Sequence, residues 1–171
     1  MKAKAYKLFR CRDSILYPLY VYATEPMPMG VWLEAKDGER DGDKVKSRLG
    51  RLAYRPGFHL AEVPNAHWIG KRQDGELVMR SDTVWCEVEY KTDRCYSSEA
   101  RENGWKAGKW AANRAYLKHI PVGGYYKYRT NTNGDVWIIC GEIKIIRILS
   151  DEERKRICIE HGITPQRKEI A

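Results

Sequence analysis

Tyr54-Arg-Pro-Gly-Phe-His-Leu-Ala-Glu-Val-Pro-Asn-Ala-His67 is the stretch on which the reading of this chain turns. Pro56 presets φ near −65° and Gly57 can adopt positive φ, so Arg55 to Gly57 reads as a tight turn. Phe58-His-Leu-Ala follows as a short strand. Val63-Pro-Asn-Ala then reads as a helix start, with Asn65 as its cap. A turn, a strand carrying a histidine and a helix start together can floor a ligand cleft. They also make an ordinary β-turn-α corner with His59 partly packed and Asn65 merely capping.

Outward from this stretch, the chain reads as a succession of strands. Ala5 to Arg12 alternates, with Tyr6, Leu8 and Arg10 on one face. Leu16 to Tyr22 is aromatic and β-branched but contains Pro18, which marks an edge strand or one that begins after the proline. Val31 to Ala35 follows a Met-Pro-Met-Gly turn. Lys36 to Lys46 is charged and glycine-rich and is expected to be a mobile loop. Asp74-Gly75 marks a turn, and Thr83 to Tyr90 is the clearest strand. Ser98 to Asn103 reads as a short helix stopped by Gly104. Gly124–Arg129 and Val136–Cys140 are strands joined by a hairpin at Asn133-Gly134. Gly141 to Leu149 is another strand. Ser150-Asp-Glu-Glu153 is a capping box opening a helix that ends before Gly162. The tail, 163–171, is expected to fray. Short connections and a majority of strands favour an antiparallel-rich α+β fold in a single domain spanning 1–171.

Composition narrows the function classes. The 171 residues carry 31 Lys plus Arg against 23 Asp plus Glu, a net charge of +8. That excess suits a polyanionic partner or a phosphate-bearing ligand, and equally a soluble surface. Cys11, Cys86, Cys95, Cys140 and Cys158 form no CxxC pair, so a structural zinc site is not expected. Cys86 and Cys140 lie in apolar runs and read as buried thiols in a reducing compartment. A signal peptide and a span of about 20 apolar residues are both missing, which points to the cytoplasm and away from membranes. Walker, Rossmann, HExxH and GxSxG patterns do not occur. What remains is a set of single polar residues at strand positions: Arg10, His59 and Glu142, with Glu87 and Glu89 in reserve. Each of these also has a structural reading, Arg10 as a surface cation and Glu142 as a residue after a bulge at Gly141.

Four pieces occur in an order that resembles the ADP-ribosyltransferase fold, including its poly(ADP-ribose) polymerase branch. Leu8-Phe-Arg-Cys is similar to that family's first, NAD-binding strand. Gly57-Phe-His-Leu-Ala with Pro64-Asn-Ala is similar to its second motif, Val84-Trp-Cys-Glu-Val-Glu-Tyr to its third, and Gly141-Glu-Ile-Lys-Ile-Ile to its glutamate-bearing strand. The resemblance implies a split, mostly antiparallel sheet with short flanking helices and NAD as the cofactor. It also implies transferase or NAD glycohydrolase chemistry. Glu142 would stabilise positive charge at the ribose carbon, Arg10 would hold a phosphate or the adenylate ribose, and His59 would stack on nicotinamide. Gly57, Phe58 and Asn65 would complete the NAD site. Three departures stand beside this. His59 replaces the family's usual tyrosine, the serine that often follows is absent, and position 140 is Cys where a second Glu or Gln is common. The Arg-Pro-Gly-aromatic-His run also resembles phage and mobile-element proteins, which implies a host-cell cytoplasmic setting.

A second class needs no catalysis. Trp105, Lys106, Lys109, Trp110, Arg114, Tyr116 and Lys118 interleave aromatic and basic side chains, as do Tyr125 to Arg129. Aromatic rings stack bases and cations track phosphates, so this composition suits single-stranded nucleic acid. The same pattern also arises from core aromatics with a solvated lysine rim. A module that binds a host protein is a further alternative. His67, His119 and His161 read as structural.

Overall fold

Strand β1, Lys2–Arg12, sets the architecture because both of its faces are buried. Ala5 and Phe9 enter one core, while Tyr6 and Leu8 enter another. A strand covered on both sides reads as a mixed run rather than a clean polar–apolar alternation. The computed structural model describes residues 1–38, 40–41, 44–47, 50–53, 55–107, 115–129 and 135–170. After β1 come β2 (Ile15–Tyr17), β3 (Trp32–Glu34), β4 (Arg40–Asp41), β5 (Lys44–Ser47), β6 (Gly50–Ala53) and β7 (Phe58–Ala61). They are followed by β8 (Lys71–Gln73), β9 (Glu76–Val78), β10 (Thr83–Lys91), β11 (Arg94–Cys95) and helix α1 (Ser97–Lys106). The chain then runs through β12 (Gly124–Arg129), β13 (Val136–Cys140), β14 (Glu142–Ile148) and helix α2 (Asp151–Glu160).

The fold is α+β. A nine-stranded sheet runs β11-β12-β13-β7-β1-β10-β14-β3, with β2 paired to β1. Its pairings are antiparallel except β11 with β12. The first core lies between Phe9, Leu60, Cys86, Val88, Ile138 and Ile143. The second, on the opposite face, gathers Tyr6, Leu8, Met79, Trp85, Trp137 and Leu149. A third forms where Ala100 of α1 meets Leu117, Tyr126 and Ile139. Cys86, Cys140 and Cys158 are buried free thiols. Among the described residues no helix is long and apolar enough to cross a membrane.

Along β1, pairing with β7 is confined to Tyr6↔Ala61. On the same edge, β2 takes over only at Arg10 to Arg12. Residues 7 to 9 of β1 therefore face β7 across a gap in the ladder, and the main sheet is split there. A continued antiparallel register would set Leu8 opposite His59. Instead the Lys7 Nζ donates to the His59 carbonyl at 3.2 Å, supplying the partner that a β1 amide would have given.

Several local expectations gave way to tertiary contacts. No helix opens at Val63. The segment makes a three-residue turn (Asn65 N to Val63 O, 2.7 Å), and Asn65 is buried with its Oδ1 accepting from the Gln166 amide at 2.8 Å. The tail is accordingly tied down rather than frayed. The Gln166 Nε2 donates to Ile69 O and Leu77 O at 2.9 and 3.1 Å, and Met79 exchanges backbone bonds with Arg167 and Glu169. Within 36–46, β4 and the first residues of β5 stand where an unstructured loop was expected. A charged, glycine-rich run carries none of the apolar alternation by which a strand is read from sequence. Helix α1 runs through Gly104 to Lys106, since Ala100 and Gly104 form its buried side toward β12. Strand β2 ends before Pro18 and is entered by a two-residue turn with positive φ at Asp13 and Ser14. The hairpin expected at Asn133-Gly134 lies outside the described residues, but β12 and β13 pair antiparallel on either side of it. Ser150 caps α2 as its sequence implies, its hydroxyl accepting from Glu153 N at 3.1 Å.

Candidate functional site

The gap between β1 and β7 opens into a cleft of about 890 Å³. That is near the upper end of ligand-pocket sizes. Lys7 and Leu8 contribute from β1, the turn Pro18–Tyr22 and residues 25–27 form one side, and Trp32 to Lys36 extend it. The other side is made by Arg55 to His59 with Trp68, Tyr128 and Trp137. A second cavity, about 30 Å³ beside Thr83 and Met79, has room for roughly one water.

The Arg55 side is an aromatic wall held by cation and edge contacts. Arg55 lies 4.2 Å above the Tyr128 ring and donates through Nε to Ala115 O at 3.1 Å. His59 meets Trp137 edge-on at 6.4 Å, and Trp68 tilts against Trp137 at 5.7 Å. Trp137 is 7% exposed, and its Nε1 has no partner among the described residues. The Nε2 of His59 lies 2.9 Å from Arg55 O. Burial lowers the His59 pKa to about 4, with Lys7 and Arg55 pushing the same way and the Arg55 carbonyl opposing. The ring is therefore neutral at pH 7, donates from Nε2, and leaves Nδ1 as an acceptor.

Lys7 is the cation at the base of the gap. Its Nζ sits 5.5 Å and 5.9 Å from the Phe9 and Phe58 ring centres. Among the described residues no carboxylate lies within 4 Å of it. Burial lowers its pKa to about 8. On the opposite side, Lys36 is paired to Glu25 at 2.9 Å. Glu34, exposed at the cleft edge, has no basic partner within 4 Å among the described residues.

The residues singled out in the sequence separate. His59, Phe58 and Gly57 line the cleft. Gly57 owes its identity to the fold: at φ +125° its Cβ would lie 2.7 Å from Ile139 Cγ2 and 2.9 Å from Cys140 O. Arg10 stands behind the Pro18–Tyr22 turn, donating to Ala23 O and, at 3.5 Å, to Pro18 O. It holds the turn that forms the cleft side and does not line the cleft. Asn65 is committed to the tail. Glu142 lies on β14, two strands out from β1, and is not among the lining residues. Its cross-strand partner is Glu34, which is a lining residue of the cleft. Arg10, His59 and Glu142 are thus not gathered at one point.

The basic aromatic runs also divide. Trp105 is 59% exposed, Lys106 is exposed and pairs with Glu102 at 3.1 Å, and Lys118 is exposed. Lys109, Trp110 and Arg114 lie outside the described residues. In the second run Tyr126 is core and Tyr128 is cleft wall, while Lys127 and Arg129 are exposed. His67 and His119 are engaged separately, by Asp135 and Glu99, each at 3.3 Å.

Sequence reasoning missed Lys7, Trp68 and Trp137, read Arg55 only as part of a turn, and placed Tyr128 in a nucleic-acid-binding run. Lys7 did carry a signal: it occupies an inward-facing position between Ala5 and Phe9, where a lysine is rare. No family model matches this chain, and neither the curated proteins nor the solved structures include a match.

Proposed function

We propose that the cleft binds NAD and that the protein is an NAD-consuming enzyme of the ADP-ribosyltransferase or NAD glycohydrolase kind. The observation that carries this reading is the break in the sheet between β1 and β7, which opens a cleft walled by flat rings and floored by Lys7, a cation with no carboxylate within 4 Å among the described residues. Flat rings suit the adenine and nicotinamide faces, and the cation suits the phosphates that join them. The second of the four motifs, Gly57-Phe-His, lines this cleft and adds support.

The carboxylate role passes from Glu142 to Glu34. Cleaving the nicotinamide–ribose bond builds positive charge at the ribose carbon, which an unneutralised carboxylate stabilises. Glu25 is neutralised by Lys36, so Glu34 is the cleft carboxylate free to act. Arg10 is then a positioning residue for the Pro18–Ala23 turn, and His59 a neutral ring in the stacking wall.

The test is release of free nicotinamide from NAD by the full chain. Glu34→Gln should lower the rate by about 10²- to 10³-fold, while Glu142→Gln should stay within about threefold of wild type. Absence of both nicotinamide release and NAD binding by calorimetry refutes the reading. The exposed Trp105 and Lys106 would then be pursued for steeply salt-dependent nucleic-acid binding.

A further inference from the structure

The gap in the sheet needs its own account. Lys7 projects from an inward-facing position of β1 into the site where the ladder to β7 is interrupted. Among the described residues its one hydrogen bond is to a backbone carbonyl, at 3.2 Å, and two phenyl rings flank it. Ammonium groups rarely occupy such positions without a paired anion, because burial penalises the charge. A lysine that served only to satisfy the His59 carbonyl could be replaced by a neutral donor. Arg55, by contrast, is already spent on Tyr128 and Ala115, and Lys36 on Glu25.

We infer that the Lys7 ammonium is the anion anchor of the cleft, receiving a phosphate of a phosphorylated ligand through a charge-assisted hydrogen bond. This rests on the nucleotide reading above and gives the phosphate recognition expected of Arg10 to a different residue of the same strand. The titratable neighbours of Lys7 are Cys86 on β10, Cys140 on β13 and His59 on β7, with Arg55 at the turn before β7. Burial raises the Cys86 thiol to about 12 and raises Cys140 further, while His59 is lowered to about 4. Arginine stays charged throughout. Lys7 is consequently the group of this set whose charge changes between pH 6.5 and 9.

The experiment is calorimetric titration of the full chain with NAD, and separately with inorganic pyrophosphate, at pH 6.5 and 9.0. With Lys7 titrating near 8, wild-type affinity for NAD should fall about tenfold over that interval, a range in which NAD has no titrating group of its own. Lys7→Met should bind NAD at least about tenfold more weakly at pH 6.5 and show no pH dependence. Lys7→Arg should remain within about threefold and keep its affinity at pH 9.0. Equal affinities for wild type and Lys7→Met overturn the anchor while leaving NAD binding intact. If wild type binds no NAD but binds pyrophosphate in a Lys7-dependent way, the nucleotide reading fails and the anchor stands. Binding of neither probe overturns both. Should Lys7→Met not fold, ¹³C-dimethylated lysine resonances decide, with Lys7 assigned by its absence from Lys7→Arg. Pyrophosphate should raise the Lys7 titration midpoint, and an unmoved midpoint refutes the anchor.

Discussion

His59→Gln should make the protein less sensitive to acid. The histidine donates to Arg55 O at 2.9 Å, and a glutamine amide retains a donor of similar reach while removing the titration. In the native protein the ring is held to a pKa of about 4, chiefly by burial, whereas an unfolded histidine titrates near 6.5. Between these values the unfolded chain binds the proton and the native one does not. Stability contributed by the neutral ring is therefore full above about pH 6.5 and is lost as pH falls toward 4. Integrating from pH 7 to 4.5 gives a loss of about 2 kcal/mol specific to this residue. Urea unfolding followed by tryptophan fluorescence at pH 7, 6, 5 and 4.5 measures it. The other histidines and the carboxylates titrate in both proteins, so the difference between the two stability curves isolates His59. Wild type should lose about 2 kcal/mol more than the variant across the range. Parallel curves would refute the claim that the ring is desolvated and neutral in the cleft wall.

Two further outcomes test the frame around the cleft. Gly57→Ala forces a Cβ to within 2.7 Å of Ile139 and 2.9 Å of Cys140 O at φ +125°, so it should cost more than about 2 kcal/mol in chemical denaturation; a neutral effect would mean the Arg55–Gly57 turn is not pressed against β13. Gln166→Ala removes side-chain bonds to Ile69 O and Leu77 O and should cost about 1–3 kcal/mol, with hydrogen exchange quickening at Met79 and Glu169, whereas unchanged protection there would show the tail is held by other means.

How much of this was readable beforehand depended on the range of the interactions. Ser150 and Glu153 sit three residues apart, and their cap formed as the local chemistry requires. Asp74-Gly75 likewise made its hairpin, with φ of 52° and 79°. Asn65 carried a local signal of the same kind and was overridden, because its partner Gln166 lies 101 residues away. The α+β class and the strands β1, β7, β10, β12, β13 and β14 were all visible, since their runs of branched and aromatic residues are long enough to bury on either face. The cleft was only partly visible. His59 and the Arg-Pro-Gly turn are continuous in sequence, but Trp137, Tyr128 and Lys7 join them only through strand order. Glu142 was misplaced for the same reason: a glutamate at the start of a strand cannot reveal which neighbour that strand will have, and β14 joins β10 and β3 rather than β7.

The single ladder pair Tyr6↔Ala61 leaves the two halves of the main sheet, β11-β12-β13-β7 and β1-β10-β14-β3, joined chiefly by side chains. Leu60, Ile138 and Cys140 of one half share a core with Phe9, Cys86 and Val88 of the other, and on the opposite face Ala61 and Trp137 share one with Tyr6, Leu8 and Trp85. From Ala61 to Phe58 the run of β7 along this seam is about 10 Å, at roughly 3.3 Å per residue. Lys7 crosses the seam to the His59 carbonyl, so packing and an ammonium group do there what backbone amides do in a continuous sheet.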